Sequence, residues 1–280
     1  MSPTPVLLVD GHHLLYRCYF GFPARITSRD RTRDLTGVFG FLALLRKAHM
    51  THAADHQVVV VFDGEQGSAA RAQADPTYKA NRAEADHSPV QSLPDTKRGL
   101  DLVGVPWIEI DTAEGDDVIA TLATVAAEAH RPVLVMSGDK DLFQLLALAQ
   151  TRALNTASKS DRQITTTADV LHRFGVHPRQ WPDYRALTGD PSDNIPGVRG
   201  VGPATAAQLL SGGIGLDELF ASDRLTGVLG ARVADHRHDL LRWRELIRLD
   251  HKLDLSHPED TGPTAQLPPA AHVLEDLRLW

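Results

Sequence analysis

Four short runs of Val, Ile and Leu recur through the first two-thirds of the 280-residue chain, each bounded by turn residues. They read PVLLVD (5–10), QVVVVFD (57–63), PWIEID (106–111) and PVLVMSGD (132–139). Helical patterns separate them, as in residues 37–49 and 116–130. Continuous apolar runs suit strands that are covered on both faces. Their alternation with helices predicts an α/β fold, with a mostly parallel central sheet flanked by helices and joined by right-handed crossovers.

The organisation changes in the last third of the chain. From about residue 178 the strand signal fades, and Gly/Pro turns connect short helical patterns up to LLRWRELIRLDHKL. A Pro-rich tail follows and ends in another short pattern, VLEDLRLW. We therefore expect an α/β domain over 1–177, a helical part over 178–255 and a tail over 256–280 that wraps over the first domain or frays.

Composition and cysteine usage limit the class of protein. Hydrophobic residues make up 42% of the chain and charged residues 23%, as in ordinary globular proteins. No apolar run approaches the roughly 20 residues that cross a bilayer, and the start lacks a secretion signal, so we expect a cytoplasmic protein without a membrane span. The single cysteine, Cys18, excludes an internal disulfide and is expected to be a buried structural thiol.

Three of the predicted strands lead directly into an acidic residue. Asp10 follows VLLV, Asp63 follows VVVVF and Asp139 follows VLVMSG. Because ligands bind at the carboxyl ends of strands in an open parallel sheet, these side chains are expected to converge on one edge. One such Asp is usually a turn or helix-cap residue, so the functional interpretation depends on all three together.

Further acids lie in segments that lead to the same edge. One or two acids at the start of a helix need no function, because capping and the helix dipole favour them. AEGDDVIATLATV places three there, and crowded acids repel one another unless a cation offsets their charge. The additional members of the predicted cluster are Glu114, Asp116, Asp117, Asp141, Asp190 and Asp193.

The donor set of this cluster favours particular ions. Oxygen ligands without organised His or Cys indicate Mg²⁺ or Mn²⁺ rather than zinc, and the 14 histidines, none in an HExxH, are interpreted mainly as surface or packing residues. Two ions about 4 Å apart would suit in-line displacement at a phosphodiester. The net charge of −7 argues against a nucleic-acid partner. That objection weakens because the chain is net positive outside the nine clustered acids.

The segment IPGVRGVGPATA (195–206) is a glycine-rich turn between two short helical patterns. It has neither the G-x-G-x-x-G of a dinucleotide site nor the G-K-[ST] of a P-loop. Its backbone N–H groups, and a second helix with Pro203 in the first turn, would bind phosphate whatever the base sequence. An ordinary helix-turn-helix corner of the core explains the turn equally well.

Six motifs follow one another in an order typical of a known family: LLVDGHHLLYR, VVVFDG, YKANR, EGDDVIA, SGDKDLFQLL and TGDPSDNIPGVRGVGPATA. Together they resemble the 5′ nuclease domain of bacterial DNA polymerase I, part of the flap endonuclease family, over about residues 4–250. The resemblance implies a PIN-like fold with a helix-hairpin-helix motif in its helical part. It implies a 5′-to-3′ exonuclease and 5′-flap endonuclease acting on DNA. No polymerase segment follows, so a freestanding enzyme is expected.

The resemblance also implies roles for particular residues. The nine acids would form a two-metal site. Tyr78, Lys79 and Arg82 resemble the arch-base residues that stack on substrate and neutralise the scissile phosphate. Lys79 and Arg82, three apart, are expected to share a helix face, although a merely solvated face is the alternative. The DNA-binding hairpin, with a potassium ion on its carbonyls, maps to Gly197, Val198, Gly200, Val201, Gly202 and Thr205.

Two features depart from the family's pattern. A lysine or arginine commonly follows the second hairpin glycine, whereas here Gly202 is followed by Pro203 and Ala204. One side-chain contact to phosphate is therefore expected to be missing. The arch segment contains Pro89, and Pro94 falls inside what is usually regular helix. This departure weakens the implication that an ordered arch threads a flap, but not the implication of cleavage.

The implied partners are DNA with 5′ flaps, nicks or branched duplex, together with RNA–DNA primer ends, and the implied state is a monomer. Two alternatives stay open. A catalytically silent DNA-junction binding protein would lack some metal ligands, and a PIN-like ribonuclease would have no reason to carry the hairpin. A haloacid-type phosphatase is disfavoured because Asp10-Gly11-His12 is not an Asp-x-Asp start.

Overall fold

A computed structural model describes residues 3–84, 86–256 and 258–280 of the chain. Within these ranges one sheet has the strand order β3-β2-β1-β4-β5-β6. Neighbouring strands are parallel except for the antiparallel pair β5 and β6. The strands are β1 (Val6–Asp10), β2 (Gln57–Asp63), β3 (Trp107–Ile110), β4 (Val133–Met136), β5 (Thr151–Leu154) and β6 (Ile164–Thr165). The four predicted strands are confirmed, whereas β5 and β6 were not predicted because they are short and carry few apolar residues.

The helices flank the sheet and then form a separate group. The first five are α1 (Gly11–Gly21), α2 (Thr36–His52), α3 (Ala69–Ala74), α4 (Leu93–Leu102) and α5 (Gly115–Glu128). The next are α6 (Thr167–Phe174), α7 (Trp181–Thr188), α8 (Pro203–Leu209), α9 (Leu216–Ala221), α10 (Gly227–Asp235), α11 (Arg237–Ile247) and α12 (Ala270–Asp276). Short 3₁₀ helices cover Ala80–Glu84, Ser88–Ser92, Asp141–Ala147, Ser160–Arg162 and Pro178–Gln180.

Strand β1 shows why the sheet is covered on both faces. Leu7 and Val9 pack into the core on the side of α1, α2 and α12, whereas Val6 and Leu8 pack into the core on the side of α5. All four side chains are buried, as the continuous apolar run predicts for a central parallel strand. Cys18 is buried on the α1 side as a free thiol, as expected.

The helical part has its own core and meets the sheet domain through an aromatic contact. Trp181, at the start of α7, is almost fully buried. Its ring lies edge-on to Phe143, at 5.1 Å between centroids, and to Phe174, at 5.0 Å. The Trp181 indole N–H donates to Asp141 Oδ1 over 3.0 Å. The packing that joins the two parts is therefore tied directly to one of the predicted site acids.

The tail wraps over the first domain. The Val58 N–H donates to Thr264 Oγ1 over 2.8 Å, and the Thr264 N–H donates to the His56 carbonyl over 3.0 Å. The Trp280 ring lies edge-on to Phe39, with centroids 5.6 Å apart. Among the residues that the structure describes, no helix combines the length and the apolar character that crossing a membrane requires.

The described residues of the arch segment include the 3₁₀ helices Ala80–Glu84 and Ser88–Ser92. Pro94 lies in the first turn of α4 rather than in the interior of a helix. A proline is tolerated there because the first N–H groups of a helix have no intrahelical partner. Pro94 therefore lies where a helix begins and does not interrupt one.

Candidate active site

The carboxyl ends of neighbouring strands bring the predicted acids together. Asp10 ends β1 and Asp63 ends β2, and these strands pair side by side. Asp139 lies just beyond β4, on the other side of β1. A pocket of about 410 Å³ opens at this edge. The predicted acids that line it are Asp10, Asp63, Glu114, Asp116, Asp139, Asp141 and Asp193.

Helix α5 adds acids to this edge because of how it begins. Glu114 is the N-cap of α5, and Asp116 lies in its first turn. The Gly115 N–H donates to Asp63 Oδ1 over 2.6 Å, which joins the helix start to the end of β2. A Cβ at Gly115 would lie 3.0 Å from that oxygen, so the close approach favours glycine.

Crowding changes the ionisation of two of these acids. Burial, followed by the charge of Asp63, raises the pKa of Asp10 to about 7, although the His13 N–H and the Ser137 hydroxyl donate to its oxygens. Burial and the charge of Asp139 raise the pKa of Asp116 well above its ordinary value. Both carboxylates therefore resist ionisation unless a positive charge is close.

A second group of acids lies beside the first. Asp141, Asp190 and Asp193 are buried, and each offers an oxygen within 4.8 Å of the others, an arrangement that could hold a metal ion. Burial, followed by the charge of Asp139, raises the pKa of Asp141 well above its ordinary value. Arg185, from α7, forms an ion pair with Asp190 and lies 3.5 Å from Asp141 Oδ1. Asp190 itself does not line the pocket.

Two of the expected basic residues reach the acids, but not from one helix face. Lys79 lies ahead of the 3₁₀ helix in a left-handed conformation, with φ of 53°. Its ammonium forms an ion pair with Glu114, while the Arg82 guanidinium donates to Asp193 Oδ1 over 2.7 Å. The expectation of a shared helix face was therefore wrong. Backbone geometry, and not helical periodicity, aims the two cations at the same pocket.

Burial and the neighbouring acids set the ionisation of Lys79. Burial alone would lower the pKa of the Lys79 ammonium, but the nearby negative charges, led by Glu114, raise it above its ordinary value. The residue is therefore a fixed cation at physiological pH.

Tyr78 lies between the hydrophobic core and the pocket. Its side chain packs in the core of the helical part, and only 5% of the residue is exposed. The hydroxyl donates to Glu114 Oε2 over 3.3 Å, and the Lys79 ammonium lies 4.9 Å from the ring centroid. Tyr78 also lines the pocket, where its contacts help to hold Glu114 and Lys79.

Asp117 is the acid that the structure separates from the others. It lies next to Asp116 on α5, yet it is buried away from the pocket lining. Arg71 donates to both of its oxygens, over 2.6 Å and 2.8 Å. Adjacent residues on a helix point in directions about 100° apart, which explains why the two neighbours have different surroundings.

The glycine-rich turn connects α7 and α8 through tight backbone contacts. Gly197 has a φ of 66°, and a Cβ there would lie 2.4 Å from the Gly189 nitrogen, so only glycine fits. The side chains of Val198 and Val201 are buried in the helical core. Gly200 and Gly202 are exposed, and Thr205, in α8, is half-buried. A ligand at this turn could therefore contact the backbone of Gly200 and Gly202 and the side chain of Thr205, but not the buried valines.

The structure adds residues to the site that were not identified from the sequence, among them one serine and three arginines. Ser137 donates to Asp10, and Arg185 pairs with Asp190. Arg71 lines the pocket and binds Asp117. Arg232, from α10, donates to the Arg199 carbonyl of the hairpin over 2.7 Å. A single Ser after a strand, or a single Arg in a helix, has no distinctive spacing in the sequence. Only tertiary contacts therefore reveal these roles.

Two family models together match most of the chain. The model described as the 5′-3′ exonuclease N-terminal resolvase-like domain matches residues 5–175. The model described as the 5′-3′ exonuclease C-terminal SAM fold matches residues 176–267.

Curated relatives are longer proteins. The thermostable DNA polymerase I of Thermus aquaticus is 39% identical over 261 residues, covering 92% of this chain and 30% of that protein. DNA polymerase I of Mycobacterium tuberculosis H37Rv is 33% identical over 261 residues, covering 93% of this chain and 28% of that protein. The chain thus spans less than a third of the length of these relatives.

Solved structures share the fold. The T5 D15 protein co-crystallised with metal ions has a TM-score of 0.70 at 19% identity, covering 88% of this chain and 90% of that chain. The catalytic core of Rad2 in complex with DNA substrate has a TM-score of 0.61 at 14% identity, covering 100% and 88%. The model matching residues 5–175 covers more than half of this chain, and the chain therefore belongs to the 5′-3′ exonuclease family.

Proposed function

We propose that the chain is a divalent-metal-dependent 5′-to-3′ exonuclease and 5′-flap endonuclease that hydrolyses DNA phosphodiesters. One observation carries the proposal. Acids from separate strand ends and helix starts meet in one pocket, and Lys79 and Arg82 line the same pocket. A phosphodiester bound in this pocket would contact Lys79 and Arg82 as well as the divalent ions that the acids would hold. This arrangement suits the increase of negative charge in the transition state.

The residues present fit a site for Mg²⁺ or Mn²⁺. Every acidic donor is an oxygen, and among the described residues Glu114 Oε1 is buried without a hydrogen-bond partner. Burial and neighbouring acids raise the pKa values of Asp10 and Asp116, so a bound cation would favour their ionised forms. The first ion would be held by Asp10, Asp63, Glu114, Asp116 and Asp139, and the second by Asp141, Asp190 and Asp193. When bound, such ions supply Lewis acidity and a nucleophilic water for in-line hydrolysis.

The chain's own cations orient the phosphate. Lys79 and Arg82 are held within the pocket by Glu114 and Asp193, so little side-chain freedom is lost when a phosphate oxygen arrives. Tyr78 limits the position of Glu114 through its hydroxyl and that of Lys79 through its ring. Tyr78 and Glu114 therefore restrict the position of Lys79, which would move more freely on a solvated helix.

The helical part would hold duplex DNA. Exposed backbone at Gly200 and Gly202, together with the exposed Arg199, forms a surface that suits phosphate without reading bases. Arg232 adds a guanidinium beside this turn, where the sequence lacks a lysine after Gly202. The Arg199 carbonyl already accepts from Arg232, so a potassium ion at the turn would use other carbonyls. On this basis residues 1–177 are the catalytic domain and 178–255 the DNA-binding part.

The substrates proposed are 5′ flaps, nicks and branched duplex, with RNA–DNA primer ends as a further class and a monomer as the working form. Support comes from the structural neighbours. One is the bacteriophage T5 D15 flap endonuclease in a pseudo-enzyme-product complex with DNA and metal ions. Another is the flap endonuclease of Methanococcus jannaschii. All nine acidic positions of the family's pattern are acidic in this chain, whereas a catalytically silent junction-binding protein would lack some of them.

Cleavage of defined substrates tests the function. End-labelled 5′-flap, nicked and single-stranded DNA, and a matched RNA-primer substrate, are incubated with Mg²⁺, Mn²⁺ or a chelator, and the cut positions are mapped. We expect ion-dependent cleavage near the flap junction and loss of at least about 10³-fold in rate for Asp139→Ala, because a ligand is removed. Binding without cleavage would support the junction-binding alternative. A preference for single-stranded RNA would support the ribonuclease.

Ion binding is also expected to change stability in a pH-dependent way. The folded pKa of Asp10, about 7, exceeds its ordinary value of 3.8. Protonated Asp10 therefore contributes fully to the free energy of unfolding below pH 3.8, and this contribution is lost as the pH rises through about 7. The ion-free protein should melt lower at pH 8 than at pH 6, and Mg²⁺ or Mn²⁺ should raise the melting temperature more at pH 8. Equal shifts at both pH values would contradict the assignment.

Lys79→Ala tests the role of the pocket lysine. Because its ammonium faces the position of the reacting phosphate, single-turnover cleavage should fall by about 10²-fold or more, while DNA affinity changes by less than about 3-fold. Lys47→Ala, on the exposed surface of α2, is the matched control and should match the wild type. If affinity falls as much as the rate, Lys79 serves binding alone.

Gly202→Asp tests the hairpin. Gly202 has an ordinary φ of −90°, nothing lies within 4 Å of an added Cβ, and Asp is a favourable N-cap for α8. The fold should therefore persist while the new charge repels phosphate. We expect binding of nicked and flap duplex to weaken by about 5-fold or more, with Gly202→Asn, an uncharged N-cap, close to wild type. Unchanged affinity in the Asp variant would remove the hairpin from the DNA interface.

A further inference from the structure

We infer that Asp117 is a positioning residue and not a metal ligand, and that its partnership with Arg71 couples the helical part to the acid pocket. This inference rests on the proposed function, because it assigns a role within the same site. The pair is called the Arg71–Asp117 clasp below. Three observations support it. Both oxygens of Asp117 have hydrogen-bond donors, Arg71 lies close to Glu114, and the segment that follows α11 is bound to the pair.

The oxygens of Asp117 are already engaged by donors. Oδ2 accepts from Arg71 Nη1 over 2.6 Å, and Oδ1 accepts from Arg71 Nη2 over 2.8 Å and from the Asp250 N–H over 2.9 Å. Such a bidentate pair fixes both the position and the plane of the carboxylate. A divalent ion at Asp117 would have to displace the guanidinium or lie against it. The side chain is also only 9% exposed, so an ion has little room to approach.

Arg71 connects the clasp to the pocket. It lies in the last turn of α3 and lines the pocket. Its Nη1 is 3.6 Å from Glu114 Oε2, the oxygen that also faces Lys79 and Tyr78. If Asp117 did not hold the guanidinium, Arg71 would lose the partner that fixes this position. Asp117 thus influences Glu114 through Arg71, without contacting the proposed ions.

The clasp also attaches the segment that leaves α11. Arg71 Nη2 donates to the Arg248 carbonyl over 3.0 Å, and Asp117 accepts from the Asp250 N–H. Gln144 adds a second attachment, because its side-chain amide donates to the Ile247 carbonyl and accepts from the Leu249 N–H. Ile247 and Leu249 line the acid pocket. The clasp therefore holds one wall of the pocket, which is built from the helical part, against α5.

The test compares carboxylate-to-amide changes on one helix in the full chain. Asp117→Asn and Asp116→Asn are titrated with Mn²⁺ alone, with ion number and affinity measured by calorimetry, and Glu128→Gln, exposed near the end of α5, is the control. We expect Asp117→Asn to keep the wild-type number of ions, with an affinity within about 3-fold. Asp116→Asn should lose an ion or at least about 10-fold in affinity. Loss of an ion in Asp117→Asn would make Asp117 a ligand and overturn the inference.

Kinetics then separate positioning from simple folding support. At saturating Mg²⁺ the single-turnover rate of Asp117→Asn should fall about 10-fold, while the Mg²⁺ concentration for half-maximal rate stays the same. Arg71→Gln should show the same loss, and the double variant should be no slower than the slower single variant, because one unit has been broken. Additive losses, or a wild-type rate in Asp117→Asn, would refute the clasp.

Two further measurements keep the outcomes distinct. If Asp117→Asn does not fold, Arg71→Lys replaces it, since lysine retains the charge but loses the bidentate geometry. If the wild-type chain cleaves no substrate, the proposed function fails. The Mn²⁺ stoichiometry and the non-additivity of the two substitutions in thermal unfolding would still decide the inference.

Discussion

The structure depends on the mutual repulsion of acids that the parallel sheet forces together. Strands β1, β2 and β4 run the same way, so the residues that follow them meet at one edge. Burial first, and then the charges of neighbouring acids, raise the pKa values of Asp10, Asp116 and Asp141. Much of the surrounding structure can be understood as compensation. Backbone and hydroxyl donors, three arginines and a lysine supply part of the missing positive charge, and the proposed ions would supply the rest.

These compensating cations come from outside the sheet, and two of them form contacts between the two parts of the chain: Arg82 donates to Asp193, and Arg185 lies 3.5 Å from Asp141 Oδ1. Arg185 lies on α7, and Lys79, Arg82 and Arg71 lie in the segment between β2 and β3. Trp181 combines hydrophobic packing with a hydrogen bond to Asp141. A displacement of the helical part would therefore disturb the core and leave acids unpaired at the same time. Stability and the geometry of the site share the same contacts.

The hairpin shows a division between rigid and exposed groups. Val198 and Val201 anchor the turn in the helical core, while Arg199, Gly200 and Gly202 face outward. The anchoring fixes the exposed backbone relative to Asp190 and Asp193, which lie a few residues earlier in the chain. In the proposed function, the fold and not flexible side chains would set the distance between a duplex at the hairpin and the acid pocket. A nuclease that selects a structure instead of a sequence requires such a fixed distance.

The sequence by itself determined the four apolar strands of the sheet and the edge at which most of the acids gather, because apolar runs and strand-end residues act through local periodicity. It could not separate Asp117 from Asp116, since the partners of each side chain depend on what α3 and the segment that follows α11 place beside it. It also gave no sign of the left-handed backbone at Lys79 or of the burial of Tyr78. Those features depend on contacts between residues that are distant in the chain. Only the tertiary structure decides which charges become partners.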